Sequence, residues 1–177
     1  MYMANAKVRC YTGNPMMIFG VDPGTARMGW GIIDTNEGNV HAVQYGCITT
    51  NKTETPGNRL LIIYTALTSF LTQYTPDVIS LEELFFATNA KTVIPVGESR
   101  GIVLLAAAQK HIPVVSYSPL AVKRAITGDG KADKTQVQRM VTRLLHLPEI
   151  PKPDDTADAL AIALTHAYSY KMKGKTA

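Results

Sequence analysis

The chain has 177 residues, 46% hydrophobic and 18% charged, which suits one globular domain with a substantial core and excludes extensive disorder. Only two cysteines, Cys10 and Cys47, are present and they lie far apart, which excludes a disulfide framework or a zinc site and points to a reducing compartment. The net charge of +4 is unevenly spread: residues 91–143 carry nine Lys or Arg against three acids, whereas residues 1–90 come to −2 and residues 144–177 to zero.

Residues 1–16 lack the apolar centre of a signal peptide and are expected to form an N-terminal tail ahead of a domain over 17–170. The longest wholly apolar stretch, 102–108, is too short to span a bilayer, so a cytoplasmic protein with no membrane contact is expected. The first strand is predicted at 17–22, followed by the turn Pro23-Gly24 and a second strand near 29–34. A turn around Asn36-Glu37-Gly38-Asn39 then leads into a third strand at 40–48, so the opening is a β-meander. Gly57-Asn58 opens an amphipathic helix with Leu60, Leu61, Ile63, Leu67, Phe70 and Leu71 on its apolar side. A fourth strand follows at 78–82.

Residues 90–110 read as helix, with the regular part starting or kinking at Pro95. A fifth strand at 113–117 ends before Pro119 and a short helix carrying Val122, Lys123 and Ile126. The loop 127–133 precedes a helix over 134–146. Pro148, Pro151 and Pro153 mark a rigid linker into a last helix over 155–170, and a basic tail over 171–177 closes the chain. A meander followed by alternating helices and strands describes an α/β protein with a five-stranded mixed sheet flanked by helices.

Four carboxylates stand out against this order. Asp22 and Glu82 each close an apolar strand, while Asp155 and Asp158 sit three apart at the head of the last helix. Strand ends share one rim of a sheet, and helical residues three apart share a face. If the two strands are neighbours and the helix packs beside them, all four acids meet in one cleft. Acids in a first helical turn are also favoured by the macrodipole alone. Gathering all four, however, calls for hard cations, and two magnesium ions roughly 3.5–4 Å apart on a phosphodiester are the commonest such arrangement. A basic middle segment beside such a cleft suits a polyanionic substrate.

The acids on the first and fourth strands and the last helix resemble the ribonuclease H-like fold. The segments Gly20-Val21-Asp22-Pro23-Gly24, Ser80-Leu81-Glu82-Glu83-Leu84-Phe85, Ser99-Arg100-Gly101, Ala132-Asp133-Lys134-Thr135-Gln136-Val137 and the run from Asp155 to Ala163 together resemble the RuvC family of bacterial Holliday-junction resolvases. The resemblance covers about residues 17–169 in unbroken order. It implies a metal-dependent endonuclease that cuts four-way DNA junctions in recombination and repair, with magnesium as cofactor and manganese as its substitute. It implies a catalytic, metal-binding tetrad of Asp22, Glu82, Asp155 and Asp158. Lys134 falls near the scissile phosphate, and Lys123 falls on the DNA-facing side. Phe85 matches an aromatic that probes the unpaired junction centre. RuvA and RuvB branch-migration proteins are the implied partners.

Beside the resemblance, Lys131 is a candidate phosphate contact, and a homodimer is expected because resolution requires two nicks. The helix over 97–109, apolar on every face between 102 and 108, is its expected interface, with a fully buried helix as the alternative. Glu83 and Asp154 compete with their neighbours for places in the tetrad. Trp30 and His166 are expected in structural roles, and Arg27 has no assigned role. A catalytically silent DNA-binding protein is disfavoured by the intact tetrad, and two further rival readings remain: a YqgF-type RNA-processing nuclease, whose motif Asp22, Gly24, Arg27 and Gly29 also meet, and an actin- or Hsp70-like ATP-binding module.

Overall fold

Period-two burial runs through the first strand, where Ile18 faces one core and Phe19 and Val21 face another. In the computed structural model, which describes residues 15–36, 39–83 and 90–173, this strand is β1 (Met16–Asp22). It pairs antiparallel with β2 (Arg27–Asn36), which pairs antiparallel with β3 (Asn39–Thr49), so the expected meander is present. Then follow α1 (Pro56–Tyr74), β4 (Val78–Glu82), α2 (Ala90–Gln109), β5 (Val114–Tyr117), α3 (Pro119–Thr127), α4 (Lys134–Leu144) and α5 (Asp154–Lys173). The five strands form one mixed sheet in the order β3-β2-β1-β4-β5. β1 and β4 run parallel, as do β4 and β5. The expectations for residues 1–14, the centre of the turn at 37–38, Phe85, and residues 174–177 lie outside the described residues.

Each sheet face carries its own core. On one, Ile18, Ile33 and Val78 pack against α3, α4 and α5. On the other, Phe19, Trp30, Ile32 and Ile79 pack against α1 and α2. Trp30 is a core residue as expected, its ring 4.2 Å from Phe70 and 6.2 Å from Phe19 by centroid. His166 is buried, and its Nδ1 lies 2.9 Å from the Tyr117 hydroxyl, which bears out the structural role.

Helix α1 starts where Thr55 caps it, its side chain accepting from the Asn58 amide with Pro56 in the first turn. Its buried positions are Ile63, Leu67 and Leu71, while Leu61, expected on the apolar side, is 60% exposed. The apolar stripe is narrower than the sequence pattern because the helix meets one sheet face and α2 only. Helix α2 begins at Ala90, ahead of Pro95, rather than at it. Pro95 lies inside the helix, where it removes one intrahelical hydrogen bond without ending it. Nor is α2 fully buried: Val103, Ala106 and Ala107 face the core, but Leu104 and Leu105 are exposed.

Candidate active site

The parallel pairing of β1 and β4 sets Val21 opposite Leu81, so Asp22 and Glu82 end adjacent strands at the same rim. Alternation then fixes their direction. Ile18 and Val78 face α5, so Gly20 and Ser80 do too, and Asp22 and Glu82 follow two residues later. The Ser80 hydroxyl donates to the Ile162 carbonyl at 2.8 Å, tying β4 to α5 directly.

Helix α5 comes unusually close because three glycines clear its path. A Cβ on Gly29 would lie 1.9 Å from the Asp155 carbonyl oxygen, one on Gly20 would lie 2.2 Å from that of Ala159, and one on Gly31 would lie 2.5 Å from Leu160 Cδ2. Gly29 is the registered partner of Asp22. The first turn of α5, with Asp155 and Asp158 on one face, is thereby seated beside Asp22 and Glu82.

The electrostatics register the crowding. Asp22 is pushed up to about 8, first by burial and then by Glu82, Asp158 and Asp155. Burial and Asp158 raise Glu82, and burial raises Asp158 despite its hydrogen bond from Lys134. Lys134 opens α4, where Asp133 and Gln136 form a reciprocal capping box. Its Nζ lies 2.6 Å from Asp154 Oδ2 and 2.8 Å from Asp158 Oδ2. Burial opposes its charge, but those hydrogen bonds outweigh burial and hold the ammonium well above its ordinary range.

Arg27 is the residue the sequence reading left without a role. Its Nε stands 3.1 Å from Asp155 Oδ2 and its Nη2 3.6 Å from Asp154 Oδ1. One signal pointed to it: Arg27 precedes Gly29 by two positions on β2 and so shares the face of Gly29, beside α5. The Arg27–Asp155 contact is an ion pair without hydrogen-bond geometry, so Asp155 Oδ2 remains buried without a hydrogen-bond donor. Asp154 belongs to the site as the partner of both cations, and Glu83 is exposed at the end of β4.

Arg100 was part of a quoted motif with no assigned role. It donates through Nη1 to the Glu82 carbonyl at 2.9 Å and through Nη2 to Ser116 Oγ at 3.0 Å, fixing the rim from behind. Lys123 lines a cavity of ≈ 280 Å³ together with Glu82, Lys134 and Asp158, above Val122, Val137 and Ile162. Lys131 is exposed in the loop before α4, and its backbone amide donates to Asp129. Among the described residues no group of three or more His, Cys, Asp or Glu stands arranged to hold a metal ion. Asp155 and Asp158 are instead engaged by Arg27 and Lys134.

A mixed five-stranded sheet with acids at the rim of its central strands and on a crossing helix defines a protein of the ribonuclease H-like fold. Residues 18–166 match the family model described as crossover junction endodeoxyribonuclease RuvC, and the chain belongs to that family. The crossover junction endodeoxyribonuclease RuvC of Caldicellulosiruptor saccharolyticus is 49% identical over 87% of this chain and 93% of its own length. That of Desulfitobacterium hafniense is 50% identical over 89% and 95%. Among solved structures, Thermus thermophilus RuvC in complex with Holliday junction substrate superposes with a TM-score of 0.85 at 34% identity, over 90% of this chain and 97% of that one. The yeast mitochondrial Holliday junction resolvase Ydc2 shares the fold, with a TM-score of 0.65 at 17% identity over 90% and 80%. The two rival readings are not favoured by these matches. No helix among the described residues is long and apolar enough to cross a membrane.

Proposed function

We propose that this protein resolves four-way (Holliday) DNA junctions by paired, symmetric, metal-dependent phosphodiester hydrolysis. The observation that carries this reading is the meeting of Asp22, Glu82, Asp155 and Asp158 at one rim, in a chain of the RuvC family. The donor set fits a hard divalent cation. It is all carboxylate, it includes a buried Asp155 oxygen lacking a donor, and burial together with the charges of the other three acids pushes Asp22 up to about 8. These four residues are the proposed ligands of two magnesium ions, with manganese as substitute. Such ions, when bound, supply Lewis-acid polarisation of the phosphate and lower the pKa of a water.

The chain's own groups do the rest. Lys134, held protonated, presents a fixed point charge beside the acids for the charge that builds on the phosphate. Lys123 on the same cavity wall, and Lys131 on the approach to α4, draw the backbone in. Phe85, following Glu82 by three residues, is the proposed aromatic that stacks on a displaced base at the junction centre.

One monomer has one such site, so two opposed nicks require a C₂ dimer. Exposed Leu104 and Leu105 on α2, with Leu61 on α1, supply apolar surface for that interface. RuvA and RuvB belong to the same proposal as partners.

The test is incubation of a labelled synthetic four-way junction with enzyme and magnesium, with the strands resolved on a denaturing gel. Symmetric nicks on opposed strands are expected. Asp22→Asn, Glu82→Gln, Asp155→Asn and Asp158→Asn should each abolish cutting while retaining junction binding, because the basic surface is untouched. A variant that cuts at the wild-type rate removes its residue from the mechanism, and full activity in excess chelator removes the metal.

A further inference from the structure

Around the rim runs a chain of alternating charge. Asp155 contacts Arg27, Arg27 contacts Asp154, Asp154 contacts Lys134, and Lys134 contacts Asp158. Each cation is shared between one acid of the proposed metal site and Asp154, which is itself outside that site. The sharing is uneven. Lys134 is nearer Asp154, at 2.6 Å, than Asp158, at 2.8 Å, whereas Arg27 is nearer Asp155, at 3.1 Å, than Asp154, at 3.6 Å.

Two constraints follow. Asp155 and Asp158 each give one carboxylate oxygen, Oδ2, to a side-chain cation, so turning both oxygens to a divalent ion sets that ion against Arg27 and Lys134. The two cations therefore need another anion nearby if they are to stay at the rim rather than swing into solvent. Asp154 is that anion. It is the first residue of α5, half-exposed, and its two oxygens already point to different cations. The Lys134 hydrogen bond and then the Arg27 charge favour its ionised form. Lys134 gains most from this anchor. As the first residue of α4 it places a positive charge at the positive end of a helix, which the macrodipole disfavours unless carboxylates compensate.

We propose that Asp154 is a positioning residue: it shares Arg27 and Lys134 with the acid cleft and takes them over when Asp155 and Asp158 are given to metal. This role rests on the metal-dependent reading above. Asp154 neither binds the metal nor touches the scissile phosphate. It lowers the cost of freeing the two ligands and keeps both cations where a phosphate arrives.

The experiment is titration of manganese into the metal-free protein, followed by calorimetry, in parallel with single-turnover cutting of a four-way junction. Asp154→Asn should weaken manganese binding about fivefold or more, because Arg27 and Lys134 then settle on Asp155 and Asp158. Asp154→Glu, which retains the charge, should recover most of that loss. Removing one negative charge would weaken cation binding to some degree by itself, so the decisive arm uses the Arg27→Gln/Lys134→Gln background. There Asp154→Asn should weaken manganese binding by about twofold or less, the field effect alone, because no cations remain to be held. An equal loss in both backgrounds would reduce Asp154 to a general field effect and overturn the proposal, as would wild-type affinity in Asp154→Asn. Melting temperature in chelator checks that each variant folds; should Asp154→Asn fail it, the Asp154→Ser pair in both backgrounds decides. If the wild-type chain itself takes up no manganese, the metal-dependent reading fails and this proposal falls with it. If the wild type binds and cuts normally, only the role of Asp154 is at stake.

Discussion

Replacing Gly29 with alanine tests whether close approach of a helix to the sheet builds the site. The added Cβ would stand 1.9 Å from the Asp155 carbonyl oxygen and 2.3 Å from its carbon, where ordinary contact begins at 3.4 Å. Both are backbone atoms, so no rotamer change relieves the overlap. Strand β2 is paired on both sides, with Gly29 opposite Asp22 and Cys47, and cannot retreat. The first turn of α5 must therefore move outward by roughly 1.5 Å, a large displacement for a close-packed interior. Overpacking of this kind costs about 1–3 kcal/mol, and displacing reacting groups by about 1 Å costs about a hundredfold in rate. Gly29→Ala should thus lower the denaturant midpoint by a corresponding amount and cut junction cleavage at least a hundredfold, with binding retained. Gly57→Ala is the control. Nothing lies within 4 Å of its Cβ position near the start of α1, and it should leave cutting unchanged. A Gly29→Ala protein with wild-type stability and wild-type cutting would refute the reasoning.

Other consequences are equally direct. Because Asp22 is raised to about 8, the metal-free native state holds a proton that the unfolded chain releases near pH 4. Its contribution to stability therefore falls as pH rises from about 4 to about 8 and then levels off. Asp22→Asn should be more stable than wild type in chelator at pH 8, by about 2 kcal/mol or more, with the gap closing toward pH 4; a gap independent of pH would contradict this. Lys123→Ala and Lys131→Ala should each flatten the slope of log junction affinity against log salt by about 0.9 if each neutralises one phosphate. An unchanged slope places that lysine on a solvated face. Leu104→Lys/Leu105→Lys should shift a dimer to monomer in sedimentation and uncouple the paired nicks, leaving the fold intact because both side chains are exposed.

Much of the site was legible along the chain because local periodicity carries it. The apolar run ahead of each acid put Asp22 and Glu82 at strand ends, and three-residue spacing on α5 put Asp155 and Asp158 on one face. The elements themselves followed from apolar alternation and from turn residues, whereas the Asp133–Gln136 capping box that places Lys134 emerged from the structure. Tertiary structure alone decided what depends on which surfaces meet. Leu61 is exposed although its helical position looks apolar, because burial is set by the partner face and not by the pattern. That β4 pairs with β1, bringing two acids to one rim, depends on a crossover that no local signal encodes. The glycines at 20, 29 and 31 read as weak strand residues until α5 is seen lying against them. Arg27 and Asp154 acquired roles only through contacts between strand and helix ends far apart in sequence. Coulomb attraction depends on distance in space, and chain spacing constrains that distance only within a single element.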